Sequence, residues 1–150
     1  MNKTFLALVF ISISCLAQAQ PAVEKINLKG TEYTVTKQIP EAQKVILGRY
    51  VYEWGKQKEE PIVLLNPDGT GLFQPHDVPA IPIEFWLDCD ETGKVRKQEG
   101  VNGRYQVTLL IKYGAGSRIY PAGTYDLMGV IVVPDENYAV IYGERFKKLK

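Results

Sequence analysis

His76 is the only histidine in the chain, and Asp77 follows it in Gln74-Pro75-His76-Asp77. An imidazole beside a carboxylate has the makings of a general base or a metal ligand. Neither chemistry finds its other members, because there is no second histidine and no pair of cysteines or carboxylate at ligand spacing. His76 then reads as a solvated loop residue, in a segment that Pro75, Pro79 and Pro82 restrict. Such a loop at a barrel mouth can gate a cavity. Asp88, Asp90 and Glu91 crowd one turn, but it lacks the length and alternating oxygens of a calcium site. Cys89 lies inside that acidic run, where carboxylates disfavour a thiolate, so it reads as a structural thiol. Gly114-Ala115-Gly116-Ser117 has no helix after it to offer amide donors to a phosphate. No catalytic residue, metal ligand or cofactor is expected, and the chain reads as a non-enzyme.

What must position these residues is an exported domain. Residues 1–19 read as a signal peptide: Lys3 is its positive start, Phe5 to Ile13 its apolar run, and Ala17-Gln18-Ala19 its cleavage site. That run is too short to anchor in a bilayer, and no later segment is apolar and long enough to cross one. A second reading lipidates Cys15, although Ser12 stands where lipoprotein signals usually carry Leu. The expected location is periplasmic or secreted, with cleavage after Ala19 preferred to the Cys15 anchor. That cleavage leaves Cys89 as the only thiol, so packing rather than a disulfide must hold the fold, and Cys89 is left to pair only with another chain. Loss of Lys3 takes the formal charge from +1 to zero, which excludes the basic footprint of nucleic-acid binding. Nine Tyr, five Phe, two Trp and 45% apolar residues supply one core and exclude disorder.

Residues 20–44 form an N-terminal arm and a short helical turn. Gln20–Ile39 alternates weakly around Lys29-Gly30-Thr31, as a peripheral hairpin would, and Pro40-Glu41-Ala42-Gln43-Lys44 has helix-start chemistry for a turn or two. Residues 45–150 form the main domain. Period-two runs there cover Gly48–Trp54, Pro61–Asn66, Thr70–Gln74, Ile81–Asp88, Lys94–Gln98, Arg104–Tyr113, Tyr125–Val133 and Tyr138–Lys147. Turn chemistry separates them, as at Asn66-Pro67-Asp68-Gly69, and helices long enough for parallel crossovers are missing. Tyr105, Val107, Leu109, Ile111 and Tyr113 share one face of their run, opposite Gln106, Thr108 and Lys112, with Leu110 the exception. The run through Met128–Val133 is apolar on both faces and needs cover, which the arm can supply. Two packed sheets or a closed barrel would satisfy these runs. Consecutive order favours an all-β, eight-stranded up-and-down antiparallel barrel, since closure removes exposed edges.

The hairpin Leu64-Leu65-Asn66-Pro67-Asp68-Gly69-Thr70-Gly71-Leu72-Phe73, with Ile83-Glu84-Phe85-Trp86-Leu87 after it, resembles the lipocalin-like bacterial envelope domains of the calycin superfamily. Gly48-Arg49-Tyr50 is similar to the family's entry into its first strand, with Tyr where Trp is usual. The segment Tyr125–Gly143 resembles the late hairpin, and Arg145 is the candidate for the cation that packs on the first-strand aromatic. The resemblance covers Pro40–Lys147. It implies a lipocalin-like barrel holding a small apolar or amphipathic ligand, and it identifies no contact residue.

Tyr50, Tyr52, Trp54, Phe85, Tyr105, Leu109 and Tyr113 are the candidate ligand-binding lining, since aromatic bodies with hydroxyl tips suit such a ligand. The expected function is binding a small hydrophobic molecule or lipid in the barrel without catalysis. The alternative is a cell-envelope interaction module whose barrel is filled and whose partner is a protein. Cavity volume at the Ile81 end separates the two.

Overall fold

Alternation becomes strand at nearly every run, in a computed structural model whose described residues are 22–55 and 61–149. The expected signal peptide and cleavage site, Cys15 and residues 56–60 lie outside them. The strands are β1 (Glu24–Leu28), β2 (Thr31–Thr36), β3 (Gly48–Tyr52), β4 (Ile62–Leu65), β5 (Thr70–Gln74) and β6 (Ile81–Asp88). They continue with β7 (Lys97–Glu99), β8 (Tyr105–Tyr113), β9 (Tyr125–Val132), β10 (Tyr138–Ile141) and β11 (Glu144–Leu149). Among the described residues helix is confined to 3-10 turns at Glu41–Ile46 and Val101–Gly103. From β3 to β6 and from β8 to β11 each strand pairs antiparallel with the next. β6 pairs with β8 and β11 returns to β3, which closes an eight-stranded barrel.

Two of the eight expected runs fall differently, and their effects cancel. β7 does not supply a stave of its own. It continues along the edge of β8 where β6 leaves off, Leu87 opposing Leu109 and Lys97 opposing Val107. The tight turn after the Cys89–Val95 bridge interrupts one composite stave. The run Tyr138–Lys147 is instead two strands. Tyr142 and Gly143 take φ of 51° and 78°, a two-residue hairpin with Ile141 opposite Glu144. Tyr-Gly lacks the Asn or Asp that announces such a turn.

One end of the barrel is plugged. Ile46, on the 3-10 turn, is fully buried, and the Tyr50 hydroxyl donates to its carbonyl at 2.9 Å. Burial pushes the Tyr50 phenol well above its ordinary value. Lys148, cross-strand from Tyr50, sets its ammonium 5.6 Å from that ring and donates to the Val45 carbonyl at 2.7 Å. Gly48 makes room for it, since a Cβ there would meet Lys148 Cε at 3.0 Å. Lys148 is therefore the cation on Tyr50. Arg145, expected in that role, stacks on Tyr138 at 3.7 Å and pairs with Glu53 at 2.7 Å.

Tyr50, Phe85, Leu109 and Phe146 fill the barrel axis and are at most 2% exposed. Each buried side chain of that size stabilises the fold by about 1.5–3 kcal/mol. A second, smaller cluster lies outside the barrel wall. The β1–β2 hairpin covers Trp86 and Leu110 with Val35, Ile26, Leu28 and Tyr33. That explains why Leu110 breaks the alternation of its strand. Trp86 Nε1 donates to Glu24 at 3.2 Å, and the Lys37 ammonium sits 4.6 Å from the indole. The arm thus covers β6, β8 and the start of β9, at Tyr125 and Leu127, while Ile131 farther along β9 stays half-buried.

Candidate functional site

The opposite end, where β3, β5 and β8 finish and β6 begins, holds a cavity of about 210 Å³. Phe73, Phe146 and Tyr113 reach it from strands β5, β11 and β8. Pro61, Pro75 and His76 enter from the flanking connections, Tyr120 from the β8–β9 loop and Tyr142 from the β10–β11 turn. Asp126 and Glu144 stand near the first residues of β9 and β11. The Phe73 ring lies 5.5 Å from Tyr142, 6.0 Å from Tyr120 and 6.5 Å from Tyr113, with Tyr113 and Tyr120 5.2 Å apart. These are the separations of interacting aromatic pairs.

Local structure explains how a loop holds Tyr120 over the mouth. The Ser117 hydroxyl oxygen accepts the backbone N–H groups of Ile119 and Tyr120, each at 3.2 Å. Gly116 is required there, since a Cβ would overlap the Tyr120 carbonyl oxygen at 1.6 Å. Gly123 N–H then donates to the Tyr113 carbonyl at 2.7 Å and ties the far end of the loop to β8.

Two polar groups share the site. The Tyr113 hydroxyl donates to Asp126 Oδ2 at 3.3 Å, and Tyr142 shares the cavity wall with both. Desolvation first, then the nearby Asp126 charge, raises the Tyr113 phenol; desolvation and the Tyr113 neighbour raise Tyr142. Both hydroxyls stay protonated at neutral pH and serve as donors rather than nucleophiles. His76 Nε2 lies 3.0 and 3.1 Å from the two Glu144 carboxylate oxygens, with its ring edge-to-face against Tyr52 at 5.2 Å. His76 thus belongs to the rim of the cavity, partnered by Glu144 rather than by Asp77. Among the described residues no cluster of three metal-ligating side chains occurs.

Of the seven residues expected to line a cavity, Tyr113 alone lines this one. Tyr50 plugs the far end, and Phe85 and Leu109 are buried in the filled barrel axis. Tyr52 packs between Trp54, His76 and Phe146 just outside the lining. Trp54 falls beyond the end of β3 and is 59% exposed, where strand alternation no longer governs it. Tyr105 lies at the other end of β8 under the Lys97 ammonium, 4.4 Å from its ring. Phe73, Tyr120, Asp126, Tyr142, Glu144 and Phe146 escaped sequence reasoning. For Tyr142 and Glu144 the missed signal was the Tyr-Gly hairpin, which puts both at the mouth.

Cys89 is fully buried, and desolvation followed by Asp88 raises its thiol, in keeping with a structural role. In the acidic turn Asp90 Oδ1 accepts from Thr92 N, Thr92 Oγ1 and Lys94 N, so it caps the backbone. Beside the plugged end, an open groove of about 810 Å³ runs past Pro40, Gln43, Lys94 and Arg96. It has no comparable aromatic enclosure. Comparison with protein-family models, curated proteins and solved structures finds none that matches this chain.

Proposed function

We propose that this is an exported, lipocalin-like binding protein that holds a small apolar or amphipathic molecule at the mouth of its barrel, without catalysis. The observation that carries the reading is the aromatic cavity of about 210 Å³ with hydroxyl and carboxylate groups on its wall. Ligand sites characteristically combine apolar walls with a few placed polar groups. At about 30 Å³ per water the space equals about seven waters, which suits a ligand of seven to ten heavy atoms. Ligands of that size reach micromolar to millimolar dissociation constants, at between about 0.3 and 1.5 kcal/mol per heavy atom. A long lipid chain has no room along the axis that Tyr50, Phe85, Leu109 and Phe146 occupy.

Saturation-transfer NMR with indole and benzyl alcohol tests the reading. Both should receive magnetisation, and Tyr120→Ala should weaken binding several-fold by removing one wall while the barrel stays folded. No transfer to any solute offered at millimolar concentration would remove the proposal. The filled axis favours a second reading, an envelope interaction module. Exposed Trp54, Ile119 and Tyr142, at 59%, 73% and 44%, would then supply the contact surface around the mouth. Self-association or partner capture lost on Trp54→Ser, without small-solute binding, distinguishes it.

A further inference from the structure

Apolar burial makes no use of the charge on the cavity wall. We infer that the mouth recognises a small organic cation, its ammonium head seated among the rings of Phe73, Tyr113, Tyr120 and Tyr142 and balanced by Asp126 and Glu144. This rests on the binding reading above and names the ligand class for the same site.

Four aromatic rings from four separate elements enclose one space, with neighbouring centroids 5.2 to 6.5 Å apart. Ring faces carry the negative part of the aromatic quadrupole, so a wall of aromatic side chains offers an ammonium group a face to sit on and does little for an anion. The carboxylates act in the same direction. Among the described residues no Lys or Arg lines the cavity, and none pairs with Asp126. Asp126 receives only neutral donors, the Tyr113 hydroxyl and the Leu127 N–H at 2.9 Å. His76 is the one basic group present, and its Nε2 contacts are both with Glu144. A bound anion would face two carboxylates, and a neutral solute would strip water from Asp126 without replacing it; a cation alone compensates both.

Tyr142 gives an independent argument. It holds a φ of 51° at a hairpin position where Asn or Gly is favoured, a backbone conformation costly for a bulky side chain. Strain of that kind collects at ligand-binding positions, and here it delivers a ring and a hydroxyl to the cavity.

The test compares choline with 3,3-dimethyl-1-butanol, its uncharged carbon isostere, by calorimetry on the intact protein. Choline should bind at least about tenfold more tightly, a margin that cation–π and carboxylate contacts in a partly desolvated site supply. Asp126→Asn should remove most of that preference, weakening choline and binding the alcohol at least as well as before, because a neutral amide is cheaper to desolvate than a carboxylate. Tyr142→Asn, which relieves the backbone, should weaken choline several-fold with the near-ultraviolet circular dichroism of the barrel retained. Where choline binds, co-sedimentation with phosphatidylcholine vesicles assigns the cation to a lipid headgroup, and its absence to a free solute. Equal or tighter binding of the alcohol would overturn the cation inference and leave the binding reading intact. Failure of choline, the alcohol, indole and benzyl alcohol together would overturn both.

Discussion

Among the nine tyrosines desolvation raises the phenols of Tyr50, Tyr113 and Tyr142 far and that of Tyr105 less; Asp126 adds to the rise of Tyr113 and Tyr142, and Tyr113 to that of Tyr142. Because the folded values lie above the unfolded value of about 10, the unfolded chain gives up these protons first. Their contribution to stability is therefore complete below about pH 10 and falls away as pH climbs through the folded values. Absorbance at the phenolate band should show Tyr50 and Tyr113, at 2% and 3% exposure, titrating only as the protein unfolds in alkali. Tyr50→Phe and Tyr113→Phe should each remove one late proton. Ionisation of all the tyrosines in a single early step, with the fold intact, would contradict the burial described for them. The nearby hydroxyls of Tyr113 and Tyr142 show why residue type alone was a poor guide. A Tyr that lines a cavity and a Tyr that plugs a barrel have the same alternation and differ only in height along it.

At the scale of elements, the β4–β5 hairpin depends on one close approach. A Cβ on Gly71 would lie 2.0 Å from the Leu64 carbonyl oxygen across the ladder. Gly71→Ala should destabilise the protein at or beyond the upper part of the about 1–3 kcal/mol range for overpacking. Gly30→Ala, where space is open but φ is 86°, should cost only the about 1–2 kcal/mol of left-handed backbone. Urea midpoints compare them, and equal losses would mean the carbonyl contact is easily relieved. The arm is anchored by Trp86, so Trp86→Ala should cost about 3–5 kcal/mol. It should also speed proteolysis at Lys25 and Lys29 before any cut in the barrel. Unchanged protection of the arm would show that its pairing of Val35 and Thr36 with β6 suffices by itself. The Asn66–Gly69 hairpin, the Glu41–Ile46 turn and the strands β5 and β6 were legible in the sequence, because turn chemistry and alternation are local. The Tyr142-Gly143 hairpin and the shared stave of β6 and β7 were not, since one lacks the usual turn residue and the other depends on which edge of β8 is free.

For the whole molecule, the β11–β3 seam joins the two ends of the barrel, so no stave can leave without breaking two ladders. Thermal unfolding should be one cooperative event, with Trp fluorescence and far-ultraviolet dichroism changing together, since Trp86 bridges arm and wall. Two resolved transitions would mark the arm as a separate unit. Closure also sets what the interior can hold. Large side chains from opposing staves meet on the axis of a narrow eight-stranded barrel, and the aromatic cavity opens where the staves end and loops take over.

The sequence by itself determined the all-β class and the eight-stave count, whereas the arm, read as cover for Met128–Val133, lies instead over Trp86, Leu110, Tyr125 and Leu127. The class and the count follow from spacing between near neighbours or from composition. Only the tertiary structure decided that the barrel is plugged at Tyr50 and open at Tyr113, and that Phe73, Tyr120, Asp126, Tyr142 and Glu144 meet there. Alternation fixes which side of a strand a residue faces, whereas its height in the barrel is set by the stagger between staves and the way each loop folds back over the end.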